Sequence, residues 1–295
     1  MQVQRQRTLV ESLDGSVLAI DARRQFVKPF ILLTNQPNNV VPMAANQAST
    51  FYTLTVAGSG PIEIGGLSAQ RTGPCLLALM VQDGRSSRYI MNNQIHIDTL
   101  CGNGQLPYVL PETLLIDELR NLLVSFTDIS GQTNSARIAL HGARHLGIVH
   151  DPRLVLLRAR TDLRQHLSLP FFYTFETGGV TVGAGATVQA AINISPDHHF
   201  EIHTITAVSD YPFDLDIVDV ARAESLVSGP NGVNFPVASA LVCGTPQYPF
   251  KFHEPYLVLA GQRLLVTLVN RDAQHENNVY LTLGGRALVG RPWKH

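Results

Sequence analysis

The run PYVLPETLLIDELRNLLVSFTDISGQTNSARIALHGARHLG, residues 107–147, is written twice in this chain. It returns with drift as PFKFHEPYLVLAGQRLLVTLVNRDAQHENNVYLTLGGRALVG over residues 249–290. Pro107, Glu112, Leu115, Leu122, Leu123, Val124, Asn134, Leu140, Gly142 and Gly147 meet Pro249, Glu254, Leu257, Leu264, Leu265, Val266, Asn277, Leu283, Gly285 and Gly290. A period of domain length marks a duplicated domain and not a solenoid. Inside the repeat, Ile138 and Leu140, like Leu281 and Leu283, alternate with their neighbours. That period of two belongs to a strand with one buried face.

Working outward, further blocks pair in the same order. The runs Pro29-Phe30-Ile31-Leu32-Leu33 and Pro170-Phe171-Phe172-Tyr173-Thr174-Phe175 open the two copies. Ile62-Glu63-Ile64 then matches Phe200-Glu201-Ile202, and Cys101-Gly102 matches Cys243-Gly244. Asp214, Asp216 and Asp219 alternate with Phe213, Leu215 and Ile217, which predicts one apolar and one wet face. Gly58-Ser59-Gly60 and Gly183-Ala184-Gly185 sit between strands and read as turns, because they open no helix that could cradle a phosphate. The blocks predict an all-β chain of two tandem domains with about six to eight strands each, at the spacing of a β-sandwich or barrel. The domains span 29–147 and 170–295, after an arm or edge strand at 1–28 and joined by a connector at 148–169. That connector is not a flexible Gly/Ser linker in composition, so the domains are expected to pack in a fixed relation.

The totals narrow the function. The chain has 295 residues, enough for two cores. Charged residues make up 15% of it, against about 25% in an average soluble chain. Net charge is −1 and no basic block stands out, so nucleic acid is not an expected partner. No apolar run reaches the ~18 residues of a membrane helix, and the first residues lack the apolar core of a signal peptide; synthesis in a cytosol and no membrane partner are expected. Cys75, Cys101 and Cys243 are expected to be free, buried thiols.

Residues 197–203, DHHFEIH, are the best candidate for a metal site. His199, Glu201 and His203 would share a strand face, but only Glu201 has a counterpart, Glu63, in the first copy. Their spacing does not match the HxH, glutamate and later histidine of cupins. They read as hydrogen-bonded or solvent-facing histidines, while His141, His145 and His150, a second cluster private to the first copy, are explained as well by a junction between the domains as by a site; no metal or cofactor is expected. No G-x-S-x-G elbow or Cys/His pair supplies a nucleophile, so the chain is not expected to be an enzyme. Glu112 and Glu254, present in both copies, are expected to accept a buried hydrogen bond or an Arg contact at one place in each fold.

Several features taken together resemble structural proteins of tailed bacteriophages. They are the aromatic start Pro170-Phe171-Phe172-Tyr173, the acidic strand His199-Phe200-Glu201-Ile202, the Cys243-Gly244 turn, Pro249 and Pro255, Asn270 and Asn277, and the closing Leu283, Gly285 and Gly290. The resemblance implies a virion component built of β-sandwich or jelly-roll domains, here in tandem. It implies a capsid decoration (cement) protein that binds the major capsid protein or other virion proteins. Such a protein is a homo-oligomer, a dimer or trimer, on the shell lattice, and is made in the cytoplasm of a bacterial host. A double jelly-roll major capsid protein is the alternative. A cupin-like metalloenzyme with one degenerate half, using His198, His199, Glu201 and His203, is the alternative of another class, and a carbohydrate-binding sandwich a third, for which Trp293 is the one tryptophan.

Overall fold

The computed structural model describes residues 7–11, 17–21, 27–34, 36–47, 50–55, 60–83, 86–116, 121–145, 167–227 and 235–289. His150, Trp293 and all of the connector before Leu167 lie outside the described residues. In the arm, β1 (Arg7–Glu11) and β2 (Val17–Asp21) form an antiparallel hairpin, which pairs with no other strand among the described residues.

The first domain runs through β3 (Val27–Leu33), β4 (Val41–Met43), β5 (Thr50–Thr55), β6 (Ile62–Arg71), β7 (Cys75–Asp83), β8 (Ser86–Tyr89), β9 (Ile95–His96), β10 (Tyr108–Ile116), β11 (Asn121–Asp128) and β12 (Asn134–His145). The second repeats that list as β13 (Leu167–Tyr173), β14 (Val180–Val182), β15 (Thr187–Asn193), β16 (His199–Ser209), β17 (Phe213–Asp219), β18 (Glu224–Ser225), β19 (Val237–Ala238), β20 (Phe250–Val258), β21 (Arg263–Asn270) and β22 (Asn277–Val289). One sheet of the first domain has the order β10-β6-β12-β3 and the other β5-β11-β7-β8. The second domain has β20-β16-β22-β13 and β15-β21-β17-β18. With the short β4, β9, β14 and β19 set aside, strand follows strand across the gap between the sheets except at β7 to β8 and β17 to β18, which is the winding of an eight-stranded jelly roll. The fold is therefore all-β with two tandem jelly-roll sandwiches. Each domain has ten strands among the described residues, more than the six to eight expected, because β4, β9 and their counterparts β14 and β19 are two- and three-residue pieces too short to carry a periodic pattern.

Alternation fills the two cores. Leu122, Val124 and Phe126 of β11 point inward, as do Leu264, Val266 and Leu268 of β21. Each such side chain, fully buried, contributes about 1.5–3 kcal/mol relative to exposure. Asn134 and Asn277 are buried where the last hairpin enters its strand. Asn134 donates to the Pro74 carbonyl, and Asn277 Oδ1 accepts the Tyr211 N–H at 3.0 Å, so these asparagines satisfy turn backbone. The face of β17 expected to be wet is buried. Ser225 Oγ donates to Asp216 at 2.5 Å, Arg271 pairs with Asp214, and Asp219 accepts the Ala221 N–H at 2.9 Å and the Tyr256 hydroxyl at 3.1 Å. The loop after β17 folds back over the aspartates and supplies partners, which is what allows buried carboxylates to persist.

The repeated glycines mark two close approaches. Register slips in both domains, between His141 and Gly142 against β6 and between Ile202 and Thr204 against β22, leaving Gly65 and His203 as the bulged residues. A Cβ on Gly142 would lie 1.9 Å from the Glu63 carbonyl oxygen, and one on Gly285 1.9 Å from that of Glu201. Gly102 and Gly244 bridge Ser68 and Thr206, and a Cβ there would lie 2.1 and 2.0 Å from the carbonyls of Leu106 and Tyr248. Gly142→Ala and Gly285→Ala are each expected to destabilise by about 1–3 kcal/mol, the usual cost of overpacking. In denaturant titrations Gly104→Ala, where a Cβ meets nothing within 4 Å, should leave the midpoint unchanged.

Candidate functional site

The histidine-rich turn into β16 disperses its side chains. His198 turns inward, where Nε2 lies 2.9 Å from the Tyr173 hydroxyl and the ring packs 4.7 Å from that of Phe171. His199 Nδ1 accepts the Ala260 N–H at 2.9 Å. Glu201 sits opposite Arg286, whose Nε donates to it at 2.5 Å. His203 is the bulged residue, and its buried Nε2 lies 3.5 Å from the same carboxylate oxygen. Burial, then Arg286, holds the His203 imidazole below its ordinary pKa against the opposing pull of Glu201 and Glu112. Among the described residues, no three His, Cys, Asp or Glu side chains gather to hold a metal. In the other cluster, His141 Nε2 meets Ser68 Oγ of the neighbouring strand β6 at 2.6 Å.

The repeated chemistry-bearing residues also part company. Glu112 accepts a hydrogen bond from Ser168 Oγ at the start of the second domain, whereas Glu254 is exposed on the matching bulge of β20. The expectation of one shared role for the two carboxylates does not hold, because only the first lies at the junction. Cys101 and Cys243 each follow a short helix, Ile97–Leu100 or Ser239–Val242, and donate their N–H to its first carbonyl. All three cysteines are free. Burial pushes the thiols of Cys75 and Cys243 up to about 12, and that of Cys101 up as well, so none is a thiolate at neutral pH.

The side chains that do converge lie between the domains. Along β13, Phe171 and Tyr173 enter the second domain's core while Phe172, between them, enters the core of the first. The outer edge of β13 takes a backbone partner from the first domain: the Phe172 N–H donates to the Ile90 carbonyl at 3.0 Å, and the Phe172 carbonyl accepts the Asn92 N–H at 3.1 Å. The Asn92 amide then brackets the Thr174 backbone with two bonds of 2.9 Å. Beside this, Thr282 and Thr99 hydroxyls meet at 2.7 Å, Thr206 Oγ1 donates to the Thr99 carbonyl at 2.5 Å, and Tyr108 and Thr204 hydroxyls meet at 3.0 Å, all buried. Gly284 permits the approach, since a Cβ there would lie 2.4 Å from both the Tyr108 and Thr204 oxygens. At the rim the rings of His96 and Tyr280 lie 4.4 Å apart.

Phe172 and Thr174 stood out only as part of the opening aromatic run, and Thr99, Thr204, Thr206 and Thr282 did not stand out in the sequence. The available signal was the unbroken apolar run at 170–175, which differs from the alternating strands because both of its faces are covered.

No protein-family pattern matches the chain, and no curated protein sequence does. Among solved structures, it is similar to N-glycanase F (PNGase F), with TM-score 0.34 and 9% identity over 89% of this chain and 96% of that one. It is also similar to a chain of Sulfolobus Turreted Icosahedral Virus, with TM-score 0.24 and 9% identity over 89% of this chain and 60% of that one. PBSX exported protein XepA has TM-score 0.25 and 8% identity over 96% of this chain and 100% of that one. The assignment of the fold rests on strand order and not on these likenesses.

Phe172→Ala opens a cavity at the junction and should cost about 3–5 kcal/mol in a denaturant titration. His96 and His198 have pKa values pushed down to about 4, by burial first, then for His96 by Arg71 and for His198 by Arg88, against nearby aspartates. Their stabilising effect is complete above the unfolded-state pKa of about 6.5. Below it the unfolded chain binds the proton more readily than the fold does, so stability falls as pH drops from 6.5 to about 4. Each histidine contributes on the order of 3 kcal/mol to that loss. His198→Gln should flatten the dependence of the urea midpoint on pH across that window, and an unchanged slope would exclude His198 from it.

Proposed function

We propose that this chain is a virion structural protein that builds the shell itself, a double jelly-roll subunit. The observation that carries the reading is the identical winding of both halves together with the buried interface that joins them side by side. Jelly rolls are used as capsid domains, lectins and cupins, and fold by itself does not choose among them. The choice here comes from what the two copies share. They share alternating core residues, close-packed glycines and turn asparagines, while the histidines and the role of the carboxylate differ between them. The cupin-like reading also loses its ligand set, since His198, His199 and Glu201 are committed to Tyr173, Ala260 and Arg286. Among the described residues no helix is long and apolar enough to cross a membrane.

Full-length protein at high concentration is expected to form shells or an ordered lattice in electron micrographs and to sediment as particles. Protein that forms none but binds shells made by another protein would return the role to decoration. A strict monomer that does neither would sink both. Removing residues 1–28 should reduce assembly more than it lowers the thermal midpoint; equal loss of both would remove the arm from assembly.

A further inference from the structure

The contact between the two domains is head-to-tail. The outer face of the β20-β16-β22-β13 sheet in the second domain is covered by the helix Ile97–Leu100 and residues 90–93 of the first. Because the domains are copies, the covered face has a counterpart on the first domain and the covering element a counterpart on the second. Register fixes the correspondence. Ile31 lies opposite His141 as Phe172 lies opposite Gly284, and Ala139 faces Ser68 as Thr282 faces Thr206. Leu241 is third in the helix Ser239–Val242 as Thr99 is third in Ile97–Leu100.

Both counterparts expose apolar side chains. On the first domain Ile31 is 55% and Leu33 38% exposed, beside the polar Asn38, Asn39, Gln70 and Arg137; on the second, Phe235 is 67%, Leu241 70% and Tyr248 71% exposed. At three positions the substitutions between copies are also complementary in size. Where the covered face carries Thr282, Thr204 and Thr206, the other carries Ala139, Gly66 and Ser68, each smaller, whereas His141 stands where the covered face has Gly284. Where the covering helix presents Thr99, the open one presents the larger Leu241. A cleft of about 280 Å³ lined by Leu33, Ser68, Arg137 and Ala139 lies on the open face. The free edge of β3, equivalent to the edge of β13 that Ile90 and Asn92 occupy, has no strand partner among the described residues. An uncovered edge of this kind invites another chain.

The geometry points to a second copy of this chain as the occupant: the helix Ser239–Val242 of one copy docks on the outer β3-β12-β6 face of the next, with Leu241 in the cleft beside Ile31 and Leu33. The interface between copies then repeats, with apolar contacts in place of threonine hydroxyls, the interface within each copy. A heterologous contact of this kind continues from copy to copy and closes into a ring when its rotation permits.

The test uses the full chain in solution. Mass measurement across a concentration series should show oligomers, and Leu241→Asp and Ile31→Asp should each shift them to monomer with unchanged thermal midpoints, since both positions are exposed. Mixing Ile31→Cys protein with Leu241→Cys protein under mild oxidation should give covalent dimers of one of each. Either variant alone cross-linking to itself would show a two-fold contact and overturn the head-to-tail arrangement, as would a wild-type monomer at every concentration. The outcome is separable from the shell role. Oligomers without particles keep this interface and sink that role, and particles that survive Leu241→Asp do the reverse.

Discussion

The side chain of Phe172 ties the two halves of this molecule together. A strand sends neighbouring side chains to opposite faces, and β13 uses that rule to serve two cores at once, with Phe171 and Tyr173 on one side and Phe172 on the other. The second domain's outer sheet face is consequently an interior surface. Neither jelly roll can part from the other without exposing an aromatic ring that belongs to its neighbour's packing, so the halves share a cooperative unit although each has its own sheets.

Hydroxyl groups fix the alignment around that ring. Thr99, Thr204, Thr206, Thr282 and Tyr108 bury their oxygens and find partners only across the junction or on the backbone beside it. An apolar contact tolerates sliding, but buried hydroxyls do not, because a small shift would leave each one desolvated and unbonded. Gly284 is part of the same constraint, since it lets Tyr108 reach the sheet. The same low-dielectric setting keeps His96 and His198 neutral.

Much of the architecture was readable from the residues, and the reasons it failed elsewhere are physical. Alternation in β11 and β21 and the paired glycines Gly142 and Gly285 reflect constraints inside one domain, so they survive duplication and show in a comparison of the copies. Asp214 and Asp216 looked solvent-facing because alternation reports only which side of a strand a residue takes, and the loop that covers them is the part in which the copies differ. His199, Glu201 and His203 looked convergent because a strand places alternate residues on one face; the hydrogen bond from Ala260 holds His199 elsewhere, while His203 stays beside Glu201. The partners of Thr99 and Thr282 depend on how two domains sit together, which no local pattern encodes.

The bulge and turn glycines have a further consequence. Gly102 and Gly244, like Asn134 and Asn277, keep the same residue in both copies and face their own domain, although Glu112, matched by Glu254, reaches the junction. Positions that have drifted apart, such as Ile31 and Phe172, Ala139 and Thr282, or Thr99 and Leu241, are those whose surroundings differ between the copies. The chain thus carries its own control. Subtracting one half from the other cancels much of the jelly roll and brings out several of the places where a half touches something other than itself.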